Sequence, residues 1–339
     1  MHRRRGTSDT AADLREHFGA SEFTTAQAEQ VGVSPRRLAI AADAGLIVRL
    51  RRGLYVAPGQ VPASTTDEGL VVAEAGIVIA RHRAAQLRSR GIAASVSDES
   101  AASTWGLPHR SSAAPSLRVP DSAAVHLGTR HGVRIRHGSA DDVVLFNDVP
   151  LTSPLATARD ICRGLPRYRA VALFGLAQRR QAEWLLAADD RLEAGDLTQA
   201  LTDADLRTHV SQAMHHLLSG SLRHQQWNAS ADPRPETYLE AISWGRFTGW
   251  RLGDMQPQAW VHGASGRRYR VDVLIDGIAG EADGAVKYGQ KDTLWKEKLR
   301  QEDIEGGGTP VVRWTYAEAE HRPHLLLARW RAALHRHAA

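Results

Sequence analysis

Two runs of β-branched and apolar residues flank one Asp-Gly pair in the last third of the chain, and together they constrain the fold most strongly. Residues 270–275 read RVDVLI and residues 278–283 read IAGEAD, with Asp276-Gly277 between them. An Asp-Gly pair between two such runs is a strong signal for a two-residue β-hairpin turn. The sequence therefore predicts a hairpin in which Ile275 pairs with Ile278.

This register places two carboxylates opposite each other. Counting outward from the turn, Asp272 faces Glu281 on one side of the hairpin. Opposed residues lie about 4.5–5.5 Å apart at Cβ, where like charges repel. A divalent cation such as Mg²⁺, which prefers carboxylate oxygens, would resolve the repulsion. The alternative is a solvated strand face with no ligand. One pair further out, Arg270 faces Asp283, and this register predicts a cross-strand ion pair between the two.

Helices are predicted on both sides of the hairpin in sequence. Glu236 follows Pro235 at a helix start, where a carboxylate also serves as a simple cap. Asp292 or Thr293 caps a second helix that ends at Gly306. On that helix we expect Trp295 and Leu299 to face the sheet, and Lys298 to lie on a neighbouring face near the acids.

These residues resemble the PD-(D/E)XK nuclease superfamily, and specifically its very-short-patch-repair-like branch. The resemblance covers about the last hundred residues. It rests on an ordered series of short motifs: Glu236, Asp272, Glu281 to Gly284, Lys287 to Gly289, Glu297 to Arg300, and Val311 to Thr315.

The resemblance implies a restriction-endonuclease-like α/β/α domain that hydrolyses DNA phosphodiesters with Mg²⁺. It implies Asp272 and Glu281 as metal ligands. The implied catalytic residues are Glu236, Asp272, Glu281, Lys287 and Lys298. One position departs from the superfamily pattern, because Asp283 stands where a lysine belongs. Lys287 or Lys298 would then have to supply the positive charge, or the domain is silent.

The N-terminal sixty residues predict three helices followed by a small hairpin. Thr24 or Thr25 is the expected N-cap of the second helix, and Ser34-Pro35 is typical of the start of the third. A tight turn near Gly53 separates two short strands. This order is that of a winged helix-turn-helix, with the helix after Ser34 as the recognition helix. Basic side chains fall at the helix start and on the wing, as expected for phosphate contacts: Arg36, Arg37, Arg49, Arg51 and Arg52. The alternative is a winged helix that packs on protein.

The first half of the chain resembles the AbiEi-like family of type IV abortive-infection antitoxins. The likeness lies in the phrases of residues 46–58, 97–108 and 149–160. It implies a double-stranded DNA partner, a cognate toxin and an α/β middle domain. Between the first domain and this middle region, residues 58–66 predict a linker, and residues 70–90 then predict a helix and residues 124–127 a strand. In that middle region His109, His126, His131 and His137 do not have the spacing of metal ligands on one helix face.

Charge and cysteine content narrow the function class. The chain has 339 residues and a formal net charge of +5, which suits a nucleic-acid partner. Its single cysteine, Cys162, excludes an intramolecular disulfide and a cysteine-based zinc site, and it favours a reduced cytoplasm. The longest apolar stretch, residues 69–80, is too short to span a bilayer, so we expect no membrane partner.

We therefore predict an α/β (α+β) multidomain protein with four parts. These are a winged helix-turn-helix over 1–60, a mixed α/β middle domain over 61–168, a helical connector over 169–230 and a nuclease-like domain over 231–339. The favoured function is a DNA-binding defence or toxin–antitoxin protein with a Mg²⁺-dependent endonuclease domain. The alternatives are a non-enzymatic transcriptional regulator with a silent nuclease fold, and a protein-interaction module.

Overall fold

The chain divides into two compact units in a computed structural model, residues 1–152 and 153–339. Each is mixed α/β. The structure describes residues 7–19, 22–44, 46–51, 53–56, 63–65, 71–110, 114–123, 128–130, 133–139, 142–146, 149–188, 197–284 and 291–338.

The first unit begins with three helices and three short strands. They are α1 (Thr7–Phe18), β1 (Phe23–Thr24), α2 (Thr25–Gln30), α3 (Pro35–Asp43), β2 (Val48–Arg51) and β3 (Leu54–Val56). The predicted helix starts are confirmed, since the Thr24 side chain caps α2 and the Ser34 side chain caps α3. The strands form an antiparallel sheet in the order β1-β3-β2, and Leu14, Phe23 and Leu38 are among the residues of its core.

The rest of the first unit is built on a mixed six-stranded sheet in the order β10-β11-β6-β7-β9-β8. Its elements are β4 (Ala63–Thr65), β5 (Val71–Ala73), α4 (Glu74–Arg88), β6 (Ser95–Val96), α5 (Asp98–Trp105), β7 (Ser116–Val119), β8 (Gly128–Arg130), β9 (Val133–His137), β10 (Val143–Phe146) and β11 (Val149–Thr152).

Two predictions in this part need correction. Residues 63–65, predicted as linker, form β4, and residues 71–73, predicted as the start of a helix, form β5, its antiparallel partner. Both segments contain β-branched residues, which favour strands once a partner is available. The strand predicted over residues 124–127 lies outside the described residues.

The second unit opens with a group of helices. They are α6 (Pro154–Ile161), α7 (Arg167–Ala188), α8 (Leu197–Ala200), α9 (Ala204–Leu217), α10 (Leu222–Asn228) and α11 (Tyr238–Trp250). Helices α7 and α11 approach closely, since a Cβ on Gly245 would lie 2.2 Å from the Tyr168 carbonyl oxygen. Glu320, further along the chain, accepts hydrogen bonds from Tyr168 and Arg169 and adds a polar link to α7.

A four-stranded sheet in the order β12-β13-β14-β15 follows these helices. Its elements are β12 (Met255–His262), β13 (Arg268–Ile275), β14 (Ile278–Asp283), α12 (Lys291–Gly306), β15 (Val311–Thr315), α13 (Tyr316–His321) and α14 (Pro323–Ala338). The predicted hairpin is confirmed: Ile275 pairs with Ile278 and Val273 with Gly280. Asp276 and Gly277 both have positive φ, as a type I′ turn requires.

Helices cover both faces of this sheet. One face packs Val273, Ile278 and Trp314 against α11, α13 and α14, in a core that contains Phe247 and Trp330. On the opposite face, Val261, Val271 and Ala279 pack against Ile304 of α12. The predicted acids Asp272 and Glu281 lie on β13 and β14, the two central strands of this sheet.

Candidate functional site

Two carboxyl groups meet at the junction of β13 and α11, and none of the described arginines bonds to either. Asp272 of β13 and Glu240 of α11 line one small cavity together with Trp244 and Trp314. An Asp272 carboxylate oxygen accepts a hydrogen bond from the Ala282 N–H at 2.7 Å, which ties the acid to β14 just beyond the Val273–Gly280 pair. Asp272 therefore lies beside the strand that carries Glu281, as predicted.

Local sequence fixes Glu240 in this position. Thr237 and Glu240 form a reciprocal capping box at the start of α11, so the Glu240 carboxylate accepts from the Thr237 hydroxyl at 2.8 Å. The Glu236 N–H donates to its other oxygen at 2.8 Å, and the Gln258 amide donates to that oxygen at 2.7 Å. The carboxylate is thus held by neutral donors.

Gln258 occupies a strained backbone position beside the acids. Its φ is +55°, a left-handed value that non-glycine residues adopt rarely. Pro257 pairs with Val273 and Ala259 with Val271, so Gln258 stands opposite Asp272 in the β12–β13 register. Such outliers cluster at functional sites, because the surrounding structure has to impose them.

Burial and mutual repulsion disfavour the charged forms of both acids. Burial first, and the charge of Glu240 second, raise the pKa of Asp272 to about 7, against the opposing effect of the Ala282 hydrogen bond. Burial likewise raises the pKa of Glu240, and the nearby charge of Glu236 adds to this shift. A cation placed between the two would favour their ionised forms.

The remaining acids on this sheet belong to an arginine network. Arg300 of α12 donates to Glu281 at 2.9 Å and to Glu297 at 3.2 Å. Arg313 of β15 pairs with Glu297 and, at 3.3 Å, with Asp283. Although burial opposes ionisation, Arg313 and Arg300 lower the pKa of Glu297. For Glu281 and Asp283 burial outweighs the arginines and raises the pKa. Each of the three carboxylates is nevertheless paired with an arginine.

The predicted ion pair between Arg270 and Asp283 is wrong. Arg270 instead pairs with Glu236 at 3.0 Å, while Asp283 pairs with Arg313. Each residue has a partner from a neighbouring element. Glu236, just before α11, contacts Arg270, and Arg313 on the parallel strand β15 contacts Asp283.

Glu236 does not take the place expected of the helix acid. Its carboxylate lies among Arg270, Arg179 and the Thr198 hydroxyl, so it is neutralised by two guanidinium groups. The side chain that approaches Asp272 belongs to Glu240, one helical turn later. Glu236 precedes the N-cap Thr237 and so lies outside the helix, whereas the capping box holds Glu240 in the first turn of α11.

Helix α12 presents a different face to the sheet from the one predicted. Trp295 is 60% exposed and Leu299 45% exposed, so neither packs on the strands. Lys298 is also exposed and lies 3.7 Å from Glu302 of its own helix, away from the acids. The inward face carries Glu297, Arg300 and Ile304, whose spacing follows the helical repeat. Lys287 lies outside the described residues.

Sequence reasoning missed Glu240, Gln258 and Arg300. The T-x-x-E spacing of Thr237 to Glu240 was a usable signal, because a capping box fixes the direction of its glutamate. The positive φ of Gln258 leaves no comparable trace in the sequence. Arg300 could have been found from its i+3 spacing to Glu297 and its i−4 spacing to Ile304.

The acid pair suits a hard cation in the chemistry of its donors. Across the described ranges, no cluster of three or more histidine, cysteine or acidic side chains has the arrangement of a metal site. Mg²⁺, however, is commonly held by one or two carboxylates and takes its other ligands from water and substrate phosphate. Glu240 and Asp272 meet that smaller requirement.

The basic residues of the first unit fall into two groups. Arg36 on α3 and Arg49 on β2 are exposed. Arg37 instead donates to the Thr10 hydroxyl at 2.7 Å and lies 4.0 Å from Asp13, which joins α3 to α1. Arg37 therefore has a structural role within this unit, whereas Arg36 and Arg49 face solvent. The Arg51 side chain and Arg52 lie outside the described residues.

Comparisons with known proteins bear mainly on the first unit. Residues 14–58 match the family described as "Transcriptional regulator, AbiEi antitoxin". A search of curated proteins gave no match. Among solved structures, the RV2827C protein from Mycobacterium tuberculosis is similar at 15% identity, over 68% of this chain and 83% of that one, with a TM-score of 0.29. That structural likeness is too loose to support an argument. No described helix has both the length and the apolar character that a membrane span requires.

Proposed function

We propose that this chain is a DNA-binding transcriptional regulator of the antitoxin type. The match of residues 14–58 to the AbiEi antitoxin family is the observation that carries this proposal. The order of α1 to α3 and β1 to β3 suits a winged helix-turn-helix in which α3 enters the major groove and β2–β3 forms the wing. Arg36 and Arg49 are then positioned for the phosphates, and a cognate toxin is the protein partner.

Duplex binding tests this part of the proposal. We expect the full chain to bind the DNA upstream of its own coding sequence, with an affinity that falls steeply as salt rises. Arg36→Ala combined with Arg49→Ala should reduce the slope of log affinity against log salt by about 0.9 for each phosphate that is no longer neutralised. The control is Arg15→Ala, an exposed arginine on α1 that should leave the slope unchanged. A double variant with the wild-type slope would contradict the proposal.

We further propose that the second unit hydrolyses phosphodiesters with a divalent cation. The carboxyl pair of Glu240 and Asp272, which no arginine neutralises directly, supports this proposal. Thr237 and Gln258 orient Glu240, while the Ala282 N–H orients Asp272. When bound, the cation would stabilise charge on the phosphate and acidify a water molecule.

Arg300 is the group best placed to supply the positive charge that the superfamily draws from its lysine. Its guanidinium bonds to Glu281 and to the Arg270 carbonyl oxygen at 2.7 Å, and its charge lowers the pKa of Asp272. In this proposal Glu281 positions Arg300, and Glu240 takes the ligand role expected of Glu281 next to Asp272.

The competing function is a regulator whose second unit is catalytically silent. The engagement of Glu281 by Arg300, and of Asp283 by Arg313, favours this alternative. Incubation of supercoiled plasmid with Mg²⁺, Mn²⁺ or EDTA separates the two. We expect nicking with either cation and none with EDTA. A pure, folded protein that binds its duplex and never nicks plasmid would establish the silent regulator.

A further inference from the structure

A solvent-exposed aromatic and basic face lies on the β12–β13 hairpin next to the acid pair. In the register of these strands Trp260 pairs with Arg270 and His262 with Arg268. Side chains two residues apart share a strand face, so all four point to the same side. This set, called the Trp260 face below, lies opposite Val261, whose side chain is buried toward α12.

Trp260 is an unusual residue to leave in water. It is 54% exposed, and the guanidinium of Arg268 lies 4.9 Å from its ring centroid. Within the described part of the chain, Arg267 and Arg268 form no ion pair with a carboxylate, although both are exposed. The hairpin tip therefore combines a large π surface with positive charge that the fold does not neutralise by pairing.

The tip is held rigidly. Asp303 of α12 accepts hydrogen bonds from the Ser265 N–H at 2.8 Å, the Ser265 hydroxyl at 2.5 Å and the Tyr269 hydroxyl at 2.8 Å. The Asp303 carbonyl oxygen also accepts from the Ala264 N–H at 2.8 Å. A platform fixed in this way loses little conformational entropy when a ligand binds.

The face continues into the acid pair. Gln258 precedes Trp260 by two residues on β12, and Asp272 follows Arg270 by two residues on β13. The strand alternation changes at this point, because Val271 packs toward α12 and Val273 toward α11, so contacts decide the side on which these side chains lie. Asp272 shares a cavity with Glu240 of α11. Arg270 pairs with Glu236, and Gln258 donates to Glu240 at 2.7 Å. A ligand lying along this side would reach from Trp260 to the two carboxyl groups.

We infer that the Trp260 face binds an unpaired nucleotide of a single-stranded nucleic acid beside the Glu240–Asp272 pair, with a base stacked on Trp260 and a phosphate held by Arg268. Stacking needs an exposed base face, which a single strand offers and an intact duplex hides. Aromatic platforms flanked by cations are the usual means of holding single strands. The inference extends the phosphodiester-directed role proposed above for the second unit.

Binding of a fluorescein-labelled oligothymidylate to the full chain, followed by anisotropy in EDTA, tests the inference. Base stacking on an aromatic side chain contributes about 1–3 kcal/mol, so Trp260→Ala should weaken binding by roughly 5- to 150-fold. Trp260→Phe should retain most of the affinity. Arg268→Ala should reduce the salt slope by about 0.7, the value for one phosphate contact of a single strand.

Matched controls separate this face from other exposed aromatic and basic groups. Trp295 is 60% exposed with Lys298 beside it, 5.9 Å from its ring centroid, so Trp295→Ala should leave oligothymidylate binding unchanged. The variant with both Arg36 and Arg49 replaced by Ala should also bind the oligonucleotide normally. Trp260→Ala should in turn leave duplex binding unchanged.

Several results would overturn the inference. They are wild-type protein that does not bind oligothymidylate, equal losses from Trp260→Ala and Trp295→Ala, and displacement by polyglutamate as effective as displacement by unlabelled oligothymidylate. Displacement by polyglutamate would show that the Trp260 face recognises negative charge alone. Since EDTA suppresses cation-dependent cleavage, a failure of binding is distinguishable from a failure of the hydrolytic proposal.

Discussion

Two groups of carboxylates lie on or next to the four-stranded sheet of the second unit, and they differ in the side chains that contact them. Glu281, Asp283 and Glu297 are matched by Arg300 and Arg313 in a continuous network. Glu240 and Asp272 face each other, with neutral hydrogen-bond donors around them. In the first group every carboxylate is paired with an arginine, whereas in the second no paired cation offsets the repulsion among the described residues.

The difference shows which acids are available for chemistry. A carboxylate bound to arginine has part of its charge compensated and has less affinity left for another cation, even where burial raises its pKa, as for Glu281 and Asp283. A pair whose ionisation is costly gains most when a divalent ion arrives. Buried and mutually repelling acids are therefore the stronger candidates for cation ligands, while the acids of the arginine network hold Arg300 and Arg313 in place.

Substitutions in the two groups of carboxylates should differ most in their effect on plasmid cleavage. Asp272→Asn and Glu240→Gln each remove a proposed cation ligand, and we expect plasmid nicking in Mn²⁺ to fall by about 100-fold or more. Asp283→Asn, in the arginine network, should change the rate by less than about 3-fold, because it is not a proposed ligand. Equal losses in all three variants would remove the distinction between the two groups.

The next largest contrast concerns stability. Arg300→Ala leaves Glu281 and Glu297 without their shared partner, and loss of one member of a partly buried ion pair should cost about 1–3 kcal/mol. The melting temperature should then fall by roughly 2–12 °C. Lys298→Ala on the same helix is the control, because its 3.7 Å contact with Glu302 is exposed and should contribute less than about 1 kcal/mol. An Arg300 variant as stable as this control would show that the network does not support the fold.

Asp272→Asn should raise the melting temperature instead of lowering it, and the size of this increase should depend on pH. The pKa of Asp272 rises from 3.8 to about 7 in the fold, so the folded state favours the protonated acid. The raised pKa of Asp272 therefore contributes to the stability of the folded state in full below about pH 4, and this contribution is lost as the pH rises toward 7. Replacement by Asn, whose side-chain oxygen can still accept from Ala282, should raise the melting temperature by several degrees at pH 8.

The control for this shift is the same comparison at pH 4, where wild type and Asp272→Asn should melt within about 1 °C of each other. Glu297→Gln should instead lower the melting temperature at pH 8, because Arg313 and Arg300 hold the pKa of Glu297 below its ordinary value. A melting difference between wild type and Asp272→Asn that stays constant from pH 4 to pH 8 would contradict the assigned repulsion.

Local patterns predicted the hairpin and its register, the helix starts at Thr24 and Ser34, and the position of Asp272 next to the strand of Glu281. These features depend on turn chemistry and strand alternation, which neighbouring residues determine. Partners from distant elements were not predictable in the same way. Arg313, 30 residues after Asp283, takes the place expected of Arg270.

The face of α12 was predicted wrongly for a related reason. An apolar pattern assigns Trp295 and Leu299 to the sheet, yet the acids on β14 draw the polar face that carries Arg300 inward instead. In the first unit, Arg37 was predicted to contact phosphate together with the other arginines. Its hydrogen bonds to the Thr10 hydroxyl arise from the packing of α3 on α1, which the sequence does not show. Both errors concern side chains whose partners lie far away in sequence.

The central claim is that Glu240 and Asp272, and not the arginine-bound acids, form the cation site. Calorimetric titration of Mn²⁺ into the full chain at pH 7.5 tests it most directly. We expect wild type and Asp283→Asn to bind one ion with similar affinity, and Asp272→Asn and Glu240→Gln to lose that binding. Undiminished Mn²⁺ binding in both of the latter variants, or no binding in folded wild type, would contradict the claim.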